Sequence, residues 1–359
     1  MAIFRDIKHA ASAAILLLAA CSTPYPASPP FADALGLSAL SADINASVYG
    51  QIAAVVVSQH GNVVFEDYFR GGAVDTFVDM RSVGKSLTAM AVGAAMLDGA
   101  ITRLDMPVIP AFPDHQPLAH MTEDKRAMTL RDLMAMQSPL ACSDWRDSPG
   151  NEERMYRTRD WTAFALNLPL DPGFRRDASG AGRFSYCTAG VFLVGQMVER
   201  ATGQPFDAYV TARLLSPLGV GPVVWRRSPS GEVQSAGQIR LRARDSERLG
   251  RLVLQDGVWQ GERLLPSGWV ERMLTPRSEV MGDLRYGLLW WDAEFGMPGG
   301  AQTQVSFMLG NGGNIVAVLP DHDAVIVVQA TNYNQPGDFD LSRLLIEDHI
   351  LPALTRGGG

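Results

Sequence analysis

The 359-residue chain reads as an α+β protein. Its single antiparallel sheet comes from both ends of the chain and is flanked by helices, with a mainly helical part inserted at about residues 105–235. Three observations predict that class. β-Branched runs broken by turn residues lie near the two ends, at 52–69 and 304–330. Between them the apolar spacing is helical and the connections are long and polar. At 47% hydrophobic and 19% charged residues, the chain has an ordinary globular composition and length for one large core or two modest ones.

In chain order, residues 1–20 have the features of a signal peptide. Arg5 and Lys8 form a basic start, and Ala10–Ala20 is an apolar run too short to span a bilayer. Leu18-Ala19-Ala20-Cys21 is similar to the lipobox of bacterial lipoproteins, where the cysteine is lipidated and becomes the mature N-terminus. That similarity implies export to the cell envelope and a membrane anchor at Cys21. Ser22 beside it suggests the outer membrane where the source has one. A plain signal peptide cut after Ala20 is the alternative. Prolines 24, 26, 29 and 30 make residues 21–40 an extended tether. The folded domain is expected over 41–357.

Ile52–Ser58 and Val63–Phe69 flank His60-Gly61-Asn62, so they predict a hairpin. Leu87, Met90, Ala91, Ala94 and Ala95 recur at helical spacing, with Gly99 as a stop. Thr129-Leu130-Arg131-Asp132 resembles a capping box opening a helix to about Gln137. Further helices are expected at Asp160–Leu168 (before Pro169), Cys187–Thr202 (before Gly203), Phe206–Leu215, Leu241–Leu254 and Ser267–Met273. Strand patterns return at Gln304–Leu309, Asn314–Leu319 and Ala324–Ala330, and Phe339–Leu354 closes the chain as a helix. A net charge of −7 argues against a nucleic-acid partner.

The chemistry is concentrated where the first long helix begins. Ser82-Val83-Gly84-Lys85 is an S-x-x-K at a helix start, so the hydroxyl and the amine share one face. The unpaired N–H groups there suit a developing oxyanion. Burial in an apolar helix favours a lysine that can give up its proton and so activate a serine. Composition sharpens the point: of 31 basic residues only Lys8, Lys85 and Lys125 are lysines. Lys8 lies in the leader and Lys125 in a polar run where arginine would serve equally. At Lys85 arginine would fail as a base. The competing reading is a helix with Ser82 as N-cap and Lys85 reaching solvent. Ser86 is a second serine within one turn.

Other hydrolytic motifs fail. Met80 stands where G-x-S-x-G needs glycine, no H-E-x-x-H is present, and the six histidines are scattered. No metal or cofactor is expected. Two further stretches combine with S-x-x-K: Ser185-Tyr186-Cys187-Thr188 before a helix, and Gly310-Asn311-Gly312-Gly313-Asn314 between strands. With Met128–Leu133, Arg240–Leu249 and Tyr286–Trp291, these make residues 45–355 resemble the class C β-lactamase-like serine hydrolases. That superfamily includes DD-peptidases, esterases and 6-aminohexanoate-dimer hydrolases.

The resemblance implies a β-lactamase/transpeptidase-like fold and an acyl-enzyme formed on a small ester or amide. Ser82 would be the nucleophile, Lys85 its proton acceptor and Tyr186 a second proton relay. The N–H groups of Ser82 and Asn314 would form the oxyanion hole, within the Asn311, Gly312, Gly313, Asn314 turn. Thr188 replaces the asparagine of Y-x-N, and Asn311 replaces the lysine of K-T-G, so no cation is offered there to a β-lactam carboxylate. Residues Phe174–Arg183 form an insertion before the tyrosine. Esterase or amidase activity is therefore favoured over efficient β-lactamase activity. A catalytically silent envelope lipoprotein binding a ligand in the same cleft is the rival reading. Export permits a disulfide, the cysteine count with Cys21 lipidated leaves Cys142 and Cys187 as the candidate pair, and the resemblance implies that both lie near the cleft; two buried free thiols are the alternative.

Overall fold

The structure is a computed structural model and describes residues 32–356. The expected signal peptide, Cys21 and most of the tether lie outside the described residues. Nine strands form the main sheet: β1 (Ala32–Asp33), β2 (Ile52–Gln59), β3 (Asn62–Tyr68), β4 (Ser278–Met281), β5 (Leu284–Tyr286), β6 (Trp291–Gly296), β7 (Gln302–Gly310), β8 (Asn314–Leu319) and β9 (Ala324–Ala330). Their order across the sheet is β1-β3-β2-β9-β8-β7-β6-β5-β4, and every neighbouring pair is antiparallel. The two chain ends meet at the centre, where Val55 pairs with Val328 and Val57 with Ile326.

The central strands β8 and β9 are buried at every residue, which requires cover on both faces. Alternation along the strands shows what supplies it. Val316 and Val325 meet Gly250 of the helix Ala243–Leu254 on one face. Phe307 stacks on Phe339 of the helix Asp338–Leu345 on the other, with ring centroids 5.5 Å apart. The helix Val83–Leu97, here α1, is buried continuously from Val83 to Ala95 between the sheet and the helix Thr188–Thr202, here α2. That explains why α1 is apolar all round rather than striped. Cys187 is the N-cap of α2 and Gly203, at φ +67°, ends it.

Three differences from the sequence reading have physical causes. The outer strands β4, β5 and β6 were not expected. Their residues are poor in β-branched side chains, and the sequence Trp291–Gly296 is held as a strand by its partner β7 rather than by propensity. The Thr129-capped helix does form its capping box, with Asp132, but stops at Met134, because Met136 takes φ +57°. Lys125 sits in a polar run whose neighbours are exposed, yet its own side chain turns inward. It is fully buried, donating to the carbonyls of Ala119 and Leu168 at 3.0 and 2.8 Å, and burial pushes it down to about 8.

Candidate active site

Ser82 immediately precedes α1, and the turn before it sets its position. The N–H groups of Val83 and Gly84 donate to the carbonyls of Met80 and Arg81 at 3.1 and 3.2 Å. Arg81 takes φ +50°, a left-handed value that costs a non-glycine residue about 1 kcal/mol or more. Asp79 offsets that cost by accepting the Arg81 N–H at 2.9 Å. Among the described residues the Ser82 N–H itself has no hydrogen-bond partner. A free N–H at the head of a long buried helix is a ready donor for an anionic oxygen.

One turn on, Lys85 Nζ lies 2.9 Å from Ser82 Oγ and donates to the Ala236 carbonyl at 2.9 Å. The side chain is 2% exposed, so it does not reach solvent. The Ala236 carbonyl can approach because α1 carries glycine at 84. A Cβ there would lie 2.9 Å from the Gly237 Cα, backbone against backbone. On the other side, a Cβ on Gly195 of α2 would lie 2.1 Å from Ser235 Oγ. The segment 235–237 therefore threads between the two helices, and only small residues leave it room.

Tyr186 completes the cluster. Lys85 Nζ sits 4.9 Å from the centre of its ring, and the Ser82 side chain lies close enough to influence its hydroxyl. Burial pushes the phenol up, while Lys85 and the neighbouring Ser82 hydroxyl pull it the other way. The ring stacks on Trp145 (5.3 Å, 8°) and Trp291 (5.8 Å, 29°), with Tyr286 edge-on at 6.3 Å. Its backbone is pinned on both sides. The Asp144 N–H donates to the Tyr186 carbonyl at 2.9 Å, and the Ser185 N–H donates to the Met136 carbonyl at 2.7 Å. Cys142 and Cys187 are joined as a disulfide, with Cα atoms 5.4 Å apart.

Asp144 is a site residue that sequence reasoning missed. Its two oxygens accept the N–H groups of Thr188 (2.7 Å) and Glu152 (2.9 Å), so one carboxyl ties two chain segments beside Tyr186. Burial pushes it up to about 6, opposed by Lys85 and reinforced by Glu152. A carboxylate two residues after a disulfide cysteine was the only signal for it.

The beta-lactamase family profile matches residues 50–349. The chain belongs to the beta-lactamase family. A 6-aminohexanoate-dimer hydrolase of Paenarthrobacter ureafaciens is 30% identical over 234 residues, 62% of this chain and 57% of that protein. Esterase EstB of Burkholderia gladioli is 29% identical over 184 residues, 47% of this chain and 45% of that protein. The chain thus spans about half the length of the curated relatives it matches. Among solved structures, a simvastatin synthase from Aspergillus terreus shares the fold at TM-score 0.68 and 18% identity, over 89% of this chain and 96% of that one.

In this member of the beta-lactamase family, Ser86 does not compete with Ser82. It is buried, and its hydroxyl donates to the Leu289 carbonyl at 2.6 Å. The Asn311–Asn314 turn lies at the end of strand β7, which packs beside the residues leading to Ser82. Among the described residues no hydrogen bond joins it to Ser82, Lys85 or Tyr186. The Asn314 amide donates to the Asn311 carbonyl at 3.0 Å and accepts from the Ala330 N–H at 3.1 Å, and the Gly312 N–H donates to Asp338. The strand end that the turn closes presses on the approach to Ser82: a Cβ on Gly310 would lie 2.1 Å from the Met80 carbonyl oxygen. These contacts support the backbone that leads to Ser82. Thr188, which stands at the third position of Y-x-N, is the first residue of α2. Its hydroxyl is buried without a partner.

Proposed function

We propose that the chain is an exported serine hydrolase that acts through an acyl-enzyme on a small ester or amide. The observation that carries this reading is the buried cluster at Ser82, where Lys85 Nζ lies 2.9 Å from Ser82 Oγ and 4.9 Å from the centre of the Tyr186 ring. Ser82 Oγ attacks the substrate carbonyl and its proton passes to Lys85. The carbonyl oxygen becomes anionic beside the free Ser82 N–H. Collapse breaks the bond to the alcohol or amine, which takes a proton from the Tyr186 hydroxyl, and Lys85 returns its proton to Tyr186. Water then attacks the acyl-enzyme, gives one proton back to Ser82 by the same route, and releases the acid.

Relatives named as an amide hydrolase and an esterase support an amide or ester as substrate. Asn311 is exposed and its side chain accepts the Asn334 N–H, so it presents no cation to a β-lactam carboxylate. The intact cluster disfavours a silent binding protein.

A fluorophosphonate probe tests the reading. The adduct is expected on Ser82, with Ser86 unmodified and no label in Ser82→Ala. A wild-type protein that takes up no label would overturn it. Attachment to the envelope through Cys21 rests on the Leu18–Cys21 pattern. Cys21→Ser is expected to move the protein from the membrane to the soluble fraction, and equal partition of both forms would refute the anchor.

A further inference from the structure

We infer that the cavity beside Tyr186 is an anion subsite, so that the preferred ester or amide carries a carboxylate on the part lying against the 174–183 insertion. This rests on the hydrolase reading and names the substrate class for the same site. The cavity has a volume of about 550 Å³, within the range of small-molecule sites. Tyr186 and Trp145 line it. One wall is Gly182–Phe184, the other Arg277–Val280, and no residue of the Asn311–Asn314 turn lines it.

The insertion is built into place. Arg176 holds Asp132 with both guanidinium nitrogens, at 3.0 and 2.9 Å, and donates to the Gly180 carbonyl at 2.7 Å. Gly182 lies so close to the Gln137 carbonyl that a Cβ would sit 2.2 Å from its oxygen. The loop thus has a fixed seat, and Arg183 follows it directly into the cavity wall.

The charges in the lining do not cancel. Three guanidiniums, Arg146, Arg183 and Arg277, face two carboxylates, Asp177 and Glu279. Asp177 is committed to its own loop, accepting from the Ser179 N–H, the Ser179 hydroxyl and the Ala181 N–H at 2.8, 2.6 and 3.1 Å. Arg146 meets only the Asp171 carboxylate, at 3.7 Å in an exposed pair. Arg183 has no hydrogen bond or ion pair among the described residues. Arg277 has no carboxylate partner either. Partial burial and the neighbouring Arg131 and Arg272 push its guanidinium down, so its charge is uncompensated where it stands. A carboxylate entering here would meet fork-shaped donors suited to bidentate pairing, whereas an ammonium would meet a surplus of like charge.

The test uses matched p-nitrophenyl esters of hexanoate, adipate and 6-aminohexanoate, together with the mirrored acetate esters of hexanol, 6-hydroxyhexanoate and 6-aminohexanol. In one of the two series the carboxylate member is expected to show at least tenfold higher kcat/KM than the neutral member. The ammonium member is expected to be the poorest. In the Arg183→Ala/Arg277→Ala double variant that ratio is expected to fall below about threefold. Turnover of neutral esters without a carboxylate preference in either series overturns the subsite and leaves the hydrolase reading standing. If no ester is turned over and Ser82 stays unlabelled, the hydrolase reading fails, and titration of tryptophan fluorescence with adipate still decides the subsite through Trp145, which is 53% exposed. Saturable quenching lost in the double variant supports it; no quenching overturns it.

Discussion

Lys85→Arg is expected to lower kcat/KM on every ester or amide substrate by roughly a thousandfold, nearly as far as Lys85→Ala. The substitution keeps a cation but removes the proposed base, because a guanidinium does not deprotonate in a protein. It also has no room. Nζ is held between Ser82 Oγ and the Ala236 carbonyl, both at 2.9 Å, in a site where the side chain is 2% exposed. Rates of fluorophosphonate labelling and steady-state hydrolysis should fall together, since both need the Ser82 proton removed. A loss of less than tenfold would take the proton path away from Lys85. Burial by itself does not make a lysine a base. Lys125 is equally buried and pushed down to about 8, yet it contacts two carbonyls and no nucleophile. The neighbouring hydroxyl distinguishes Lys85.

Tyr186→Phe is expected to cost roughly a hundred- to ten-thousandfold in kcat, the usual worth of a positioned acid–base group. Phenylalanine keeps the stacking on Trp145 and Trp291, and the disulfide and the Asp144 bond hold the backbone, so the fold should be unchanged. Only the hydroxyl beside Ser82 is lost. An amine leaves poorly without a proton, whereas an activated phenolate leaves readily. The loss should therefore be larger on an anilide than on the matching p-nitrophenyl ester. Measuring both with the same acyl group checks this, and equal losses would remove Tyr186 from the leaving-group role.

Several features were legible from the residues because local backbone geometry dictates them. An S-x-x-K on a helix places serine and lysine on one face whatever the rest of the chain does, and the structure closes that pair to 2.9 Å. The β-branched runs at 52–59 and 314–330 need cover on both faces, so they predict a shared buried sheet. Gly203 ends its helix at φ +67°, and Thr129 with Asp132 forms its capping box. These are interactions within one turn or one strand.

The rest was decided by segments brought together from far apart. The carbonyl that orients Lys85 belongs to Ala236, 151 residues away, and reaches it because Gly84 and Gly237 let backbone approach backbone and Gly195 leaves room for the Ser235 side chain. Asp144 gains its place from two N–H groups on different helices. Ser86 is removed from contention by a carbonyl 203 residues along the chain. Gly310 came to lie against the Met80 carbonyl, and Arg183 and Arg277 came to face one cavity. Hydropathy and spacing report which residues are buried and which share a helix face. They carry no record of which distant carbonyl, ring or guanidinium packing will set beside them, and that neighbour determines what each polar group can do.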